Sequence, residues 1–308
     1  KFEPLWFSLD AVVLRADTRI FRVFAAILKA QSSVFADMFT FPQPAAGAEI
    51  ETMDGIPVIK LHENPDDLQF FLRAIFDSSF FMPLPAKPEF EHIVGILRLS
   101  HKYDVPYLRR RALEHLESIY PSSLAEYDST PKGSSHYQNP SAAFAMLEVC
   151  VEVGALWLLP AAYHYLCQLP ISSIISAPGW NSLAEKERTA CLVGHSAQIQ
   201  YFPEMHSYLS VETNEDCEDP MECNQVRLEI ARDSLQDFDK SMMAPLDLGE
   251  YHLDEMHNSG VCKRCMKDSR STYSIERYVF WDQLPAMFGL PVQGWVDLHE
   301  MRQVAFWG

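Results

Sequence analysis

Four cysteines constrain the fold of this chain more than any other feature. Cys217 and Cys223 precede a long interval that Cys262-Lys263-Arg264-Cys265 closes. A C-x-x-C can turn both sulfurs onto one ion, and Zn²⁺ takes four thiolates tetrahedrally at sites whose role is structural. Convergence of all four would force distant segments of the last third of the chain to one point. Two other readings stay open, four free thiols or a redox-active Cys262 and Cys265 pair. Lys263 and Arg264 lower thiol pKa, which favours metal binding and thiol exchange alike. Redox exchange also calls for a thioredoxin-like βαβ setting, which is not visible here. His206, His252 and His257 flank the cysteines as alternative ligands, and a surface position is the expectation for each. Cys150, Cys167 and Cys191 fall in helical apolar patterns, where core packing is expected.

At 308 residues, 48% apolar and 22% charged, the chain can build two or three small cores. Its longest apolar runs, such as Ala155 to Tyr163, are interrupted by Pro160 and fall short of the roughly 20 residues that cross a bilayer, so no membrane association is expected. Lys1 to Trp6 carry no secretory signal, and seven cysteines, an odd number, suit a reducing compartment, cytoplasm or nucleus. The net charge of −17 repels a phosphate backbone, so direct nucleic-acid binding is not expected. Between Pro203 and Asn258, fifteen carboxylates face three basic residues and supply −12 of that charge, which reads as a solvated acidic linker and helix face.

The first 120 residues alternate strand and helix signals. Val12 to Arg15 and Arg19 to Val23 are β-branched runs around the polar turn Ala16-Asp17-Thr18, a hairpin pattern. Short helical clusters follow at Phe24 to Ala30 and Ser33 to Phe39, then turn formers from Pro42 to Gly47, then a third strand from Ile56 to Leu61. Asn64-Pro65-Asp66-Asp67 starts a helix: Asn caps free amides, Pro fits the first turn, and the carboxylates complement the dipole. Leu68, Phe71, Leu72, Ile75 and Phe76 share its inner face. A Pro-rich break from Met82 to Pro88 leads to a helix with Ile93, Ile96, Leu97 and Ser100 on one side, and Pro106 opens another with Leu108, Ala112, Leu116 and Ile119.

Tyr120 to Pro140 reads as a boundary loop. Beyond it, Ala143, Leu147, Cys150 and Val151 mark a helix stopped by Gly154, and Ala162, Tyr165, Leu166 and Leu169 mark its neighbour. Ser182-Leu183-Ala184-Glu185 has capping-box spacing and starts a helix running towards His206. After the acidic stretch, the aromatic run from Tyr278 to Pro285 needs a surface to pack against. A region so small buries little apolar area alone, the circumstance in which a structural metal helps.

The order of elements resembles the BTB/POZ fold. Phe21 to Leu28 with Ser33-Val34-Phe35-Ala36-Asp37-Met38-Phe39 resembles the family's strand-to-helix signature and its S-x-x-F-x-x-M, and Leu99 to Leu108 resembles its A-x-K-Y-x-V-x-x-L turn. The whole chain is similar to BTB-domain proteins of mushroom-forming (basidiomycete) fungi. That likeness rests on Leu5-Trp6-Phe7, Gly154 to Ala162, Phe280 to Pro285 and Phe288-Gly289-Leu290-Pro291, with paired cysteines at Cys217, Cys223, Cys262 and Cys265. The chain departs from the BTB signature at Phe24, usually His, and at Ala25, usually charged, which makes the first helix more apolar.

The resemblance implies an α+β class: a BTB/POZ domain over residues 4–120, a small β-sheet flanked by helices. An all-helical region over 140–210 and a cysteine-containing, zinc-supported module over 211–308 follow. It implies a non-enzymatic protein–protein interaction scaffold or adaptor, with self-association through Ala25, Ala26 and Lys29. The alternatives are a substrate adaptor of a cullin-type ubiquitin ligase and a transcriptional regulator working through protein partners. The hydrophobic-x-Glu element by which BTB adaptors engage cullins is not present in Phe80 to Glu89, and no basic stripe or DNA-reading finger is found. No catalytic residue is assigned. H-E-x-x-H, a phosphate loop and G-x-G-x-x-G are absent, and Gly194-His195-Ser196-Ala197-Gln198 lacks the last glycine of a nucleophile elbow.

Overall fold

The computed structural model describes residues 11–40, 51–130, 139–236 and 245–307. Leu5-Trp6-Phe7 and the turn formers from Pro42 to Gly47 lie outside them. The chain divides into two compact units: Lys1–Ile119 with Val151–Gly154, and Tyr120–Cys150 with Ala155–Gly308.

In the first unit, β1 (Ala11–Ala16) and β2 (Arg19–Phe24) form the expected hairpin, with Val12 opposite Val23 and Leu14 opposite Phe21. Asp17 takes the left-handed conformation (φ 49°) at the turn, which Asp tolerates through local hydrogen bonding. α1 (Ala25–Gln31) and α2 (Ser33–Met38) follow, then β3 (Thr52–Met53) and β4 (Ile56–Leu61). The sheet order is β2-β1-β4-β3, with β1 and β4 parallel. β1 is therefore central, and Val13, Leu14 and Ala16 are buried, whereas β2 forms an edge.

α3 (Pro65–Phe76) starts as its sequence dictates: the Asn64 side chain accepts from the amides of Asp66 and Asp67, and Pro65 occupies the first turn. Leu68, Phe71 and Leu72 are buried; Phe76, expected on the same face, is exposed because it lies at the helix's last residue. α4 (Phe90–Lys102) and α5 (Pro106–Glu117) bury Ile93, Ile96, Leu97, Ser100, Leu108, Ala112 and Leu116 as the periodicity requires. α3 and α4 approach so closely that a Cβ on Gly95 would sit 2.6 Å from a carboxylate oxygen of Asp67.

The second unit is helical: α6 (Leu124–Ser129), α7 (Pro140–Val153), α8 (Leu159–Leu166), α9 (Ile171–Ser176), α10 (Glu185–Gln200), α11 (Phe202–Met205), α12 (Pro220–Gln236), α13 (Leu248–Asn258), α14 (Lys263–Met287) and α15 (Trp295–Trp307). The last turn of α7 groups with the first unit. Two expectations change. The 120–140 loop contains α6, capped by the Ser123 hydroxyl accepting from the Glu126 amide. The capping box at Ser182 does not form, because Ser182 ends a 3₁₀ turn (Trp180–Ser182) and Ala184 stands at the N-cap of α10. The acidic stretch, read as linker and helix face, carries α12 and α13.

Apart from Val151–Gly154, residues 140–210 and 211–308 fall in this one unit, and rings explain why. Trp281 stacks on Trp295 (centroids 5.4 Å apart, planes 4° off parallel) and packs on Tyr127 at 5.4 Å. Phe280 meets His164 and Tyr201, and Phe288 stacks on Tyr163 at 4.9 Å. The aromatic run of α14 thus finds its cover on α6, α8 and the end of α10, so the C-terminal segment does not rely on its own apolar area.

Candidate metal centre and interaction face

The four cysteines meet. Their sulfurs all lie within 4.8 Å of one another, so they could hold a metal ion. Cys217 Sγ is 3.6 Å from Cys223 Sγ and 3.6 Å from Cys262 Sγ. A tetrahedron with metal–sulfur bonds of about 2.3 Å has edges of about 3.8 Å, close to both separations. No disulfide joins any of the seven cysteines.

Two helix starts build the cluster. Cys223 lies in the first turn of α12; Cys262 is the N-cap of α14 and Cys265 stands in its first turn. Free amides and the positive end of each helix dipole therefore face the sulfurs and favour thiolates over thiols. The Cys262 amide donates to Cys223 Sγ at 3.3 Å. The Cys265 amide donates to the Cys262 sulfur and holds that thiol down to about 6, while burial among its neighbours pushes Cys217 up to about 12. One sulfur thus carries charge readily, and those of Cys217 and Cys223, which burial pushes up, need a cation to join it.

The approach to Cys262 is fixed by the end of α13. Gly260 has φ 92°, its amide bonds to the His257 carbonyl, and the Val261 amide bonds to the Met256 carbonyl, a Schellman termination whose left-handed position glycine takes without a Cβ penalty. The approach to Cys223 is fixed by Arg227, one turn further along α12 and only 1% exposed. Its guanidinium donates to the carbonyls of Cys223 (3.3 Å) and Val211 (2.7 Å), to Thr213 Oγ1 (3.2 Å) and to Asn224 Oδ1 (2.6 Å). Among the described residues it meets no carboxylate, so a buried positive charge stands beside the sulfurs. An ion held by four thiolates carries about −2 in net charge, which this guanidinium complements.

The histidines take no part in the cluster. His257 is exposed as expected, but His252 is buried and half-buried His206 packs beside it with ring centroids 6.0 Å apart. Burial pushes Tyr208 well above the usual phenol range, so its hydroxyl keeps its proton and donates to His252 Nδ1 at 2.6 Å. Desolvation, with a smaller contribution from His206, lowers His252 to about 4, and burial lowers His206. A lone histidine in an acidic stretch carries no sequence signal of this burial. Cys150, Cys167 and Cys191 are core residues as expected.

In the first unit, the two stretches that carry the sequence resemblance contact each other. Phe35 stacks on Tyr103 with centroids 4.5 Å apart, and Ser32 both caps α2 and donates to the Tyr103 carbonyl. Of the three residues expected at an interface, Ala25 is 6% exposed and belongs to the core; Ala26 is half-buried and Lys29 exposed. Phe24, at the end of the edge strand, is 47% exposed.

A family model of the BTB/POZ domain matches residues 6–120. This chain carries a BTB/POZ domain, a protein-interaction module of a kind that often dimerises. No curated protein and no solved structure matches the chain. Among the described residues, no helix is long and apolar enough to cross a membrane.

Proposed function

We propose that this protein is a non-enzymatic protein–protein interaction adaptor whose BTB/POZ domain binds partners and a second copy of itself, and whose second unit is tied by a structural zinc ion. The BTB/POZ match over residues 6–120 carries the adaptor reading. The separations of Cys217, Cys223, Cys262 and Cys265, the two helix starts aimed at them, and the buried charge of Arg227 favour zinc. Four protein sulfurs close the coordination shell, so the ion would cross-link the loop before α12 to the start of α14 and leave no position for substrate. Reduced thiolates suit an intracellular location, and the likeness to BTB-domain proteins of mushroom-forming fungi gives the whole-chain context.

Self-association would use the outward side of α1, with Ala26 and Lys29 in contact, Phe24 beside them and Ala25 buried behind. The test is light scattering of the full chain together with an Ala26→Asp, Lys29→Glu double variant. The expected mass is twice 35.2 kDa for the native chain and once for the variant. A single-chain mass for both across micromolar concentrations removes the self-association. Turnover of a small molecule by the purified protein would overturn the adaptor reading.

A further inference from the structure

β2 is an edge strand, and its hairpin fixes which main-chain groups face outward. Ala16 stands opposite Arg19 across a two-residue turn, so that pair closes with hydrogen bonds and the pairs beyond it alternate. Arg19, Phe21 and Val23 therefore bond to β1, while Ile20, Arg22 and Phe24 turn their main chain away from it. The three outward amides, and the carbonyls of Ile20 and Arg22, meet no partner among the described residues. The Phe24 carbonyl belongs to the start of α1.

The side chains alternate as well. Ile20, Arg22 and Phe24 share one face, where Ile20 is 44% and Phe24 47% exposed. Arg19, Phe21 and Val23 share the other, which looks towards α3, since Arg19 bonds to Asp66 and Gln69 there. A groove runs between β2 and Gln69, Leu72, Arg73, Phe76 and Asp77 of α3, and Phe21, Val23, Leu72 and Phe76 line it with apolar side chains.

An unpaired row of amides and carbonyls is completed by another strand, whereas a helix has already bonded its main chain to itself. A second copy is the wrong strand. Two-fold antiparallel pairing that engages all three outward residues sets Arg22 directly against its twin, and like charges in that position are destabilising. A carboxylate there is favoured instead. The present contact of Arg22, with Asp54 at 3.7 Å and both side chains more than half exposed, contributes little. Residues 11–119 hold twelve basic and fourteen acidic side chains, so this unit is close to neutral and does not repel an acidic ligand.

We infer that the outer edge of β2 is a docking site for an extended segment of a partner protein, added antiparallel as a further strand. That segment carries a carboxylate opposite Arg22 and apolar side chains opposite Ile20 and Phe24, two residues to either side. The residues between them are apolar and enter the groove against α3. This inference rests on the adaptor reading above and names the kind of partner.

The test is fluorescence anisotropy of a dye-labelled, capped seven-residue peptide titrated with the full chain. The peptide has glutamate at its centre, valine on either side, isoleucine next and serine at both ends. Two controls replace the glutamate by lysine or methylate its amide nitrogen. Binding of the glutamate peptide is expected, weakened at least about threefold by the lysine replacement and about tenfold by methylation, which removes a main-chain bond. Arg22→Glu should reverse the order, so that the lysine peptide binds better than the glutamate peptide; Lys87→Glu, at an exposed site that does not line the groove, should leave it unchanged. No binding up to millimolar chain, equal binding of the methylated peptide, or an unchanged order in Arg22→Glu overturns the inference. A solution mass that falls in Arg22→Glu without peptide also overturns it, by assigning the edge to a second copy. The light-scattering and turnover measurements above, made on the same sample, judge the adaptor reading separately: if that reading survives them and the peptide fails, the edge site alone is lost.

Discussion

Leu97 in α4 and Trp281 in α14 are each buried on a helix, yet they are held by different physics. Leu97 lies among aliphatic neighbours on regular elements, with Ile93, Ile96, Leu68 and Leu108 also buried. Trp281 lies among rings, and the unit around it keeps histidines, a guanidinium and the sulfurs of Cys223 and Cys265 out of water. The first unit is stabilised by apolar area on a sheet and its helices, which asks for no ligand. The second assembles helices around buried polar groups, each of which must find a partner or destabilise the fold. A cross-link at the sulfur cluster therefore matters to one unit and not to the other.

The sharpest way to break that contrast is to remove the metal. A chelator, or Cys262→Ser, should remove stabilisation on the order of 10 kcal/mol from the second unit. Hydrogen exchange should show protection lost over α12 and the first turns of α14 and retained over α4 and α5; equal loss in both units would erase the distinction. Truncating Trp281 to Ala should cost about 3–5 kcal/mol, measured by denaturant unfolding of zinc-loaded protein. Leu97→Ala should cost about 2–5 kcal/mol and be insensitive to chelator.

Arg227→Met should cost about 3 kcal/mol, because the carbonyls of Cys223 and Val211 lose a buried donor, and it should weaken zinc retention. Arg227→Lys should rescue little, since one ammonium cannot replace the fork. pH separates the units more gently. His252 has a folded-state pKa near 4, against about 6.5 when unfolded, so the unfolded chain binds more protons between those values. Stability from its neutral form is present above about pH 6.5 and lost as pH falls towards 4. The loss is on the order of 2 kcal/mol for the metal-free protein, and His252→Gln should flatten it. The smallest effect is Gly260→Ala, about 1–2 kcal/mol from the left-handed backbone before Val261 and Cys262, read as a lower midpoint in thermal unfolding.

The same contrast decides what could be read from sequence. In the first unit, burial follows apolar periodicity, so the hairpin, the Asn64 start and the inner faces of α4 and α5 were legible residue by residue. The convergence of the sulfurs was legible too, because Cys-x-x-Cys announces chemistry rather than packing. α12 was hidden. Its inward face is Cys, Arg, Ile and Ser, and its leucines point out, so the apolar pattern that marks a helix is inverted there. α6 was hidden because six residues carry too little periodicity, and the burial of His252 because only the fold brings Tyr208 and His206 against it.

The convergence of distant sulfurs on a metal is tested most directly by zinc K-edge X-ray absorption on the full chain, purified without chelator, with elemental analysis of the same sample. The expected result is one zinc per chain with four sulfur neighbours at about 2.3 Å. Less than about a tenth of a zinc per chain after purification in zinc-containing medium, or a shell of nitrogen and oxygen, would contradict it.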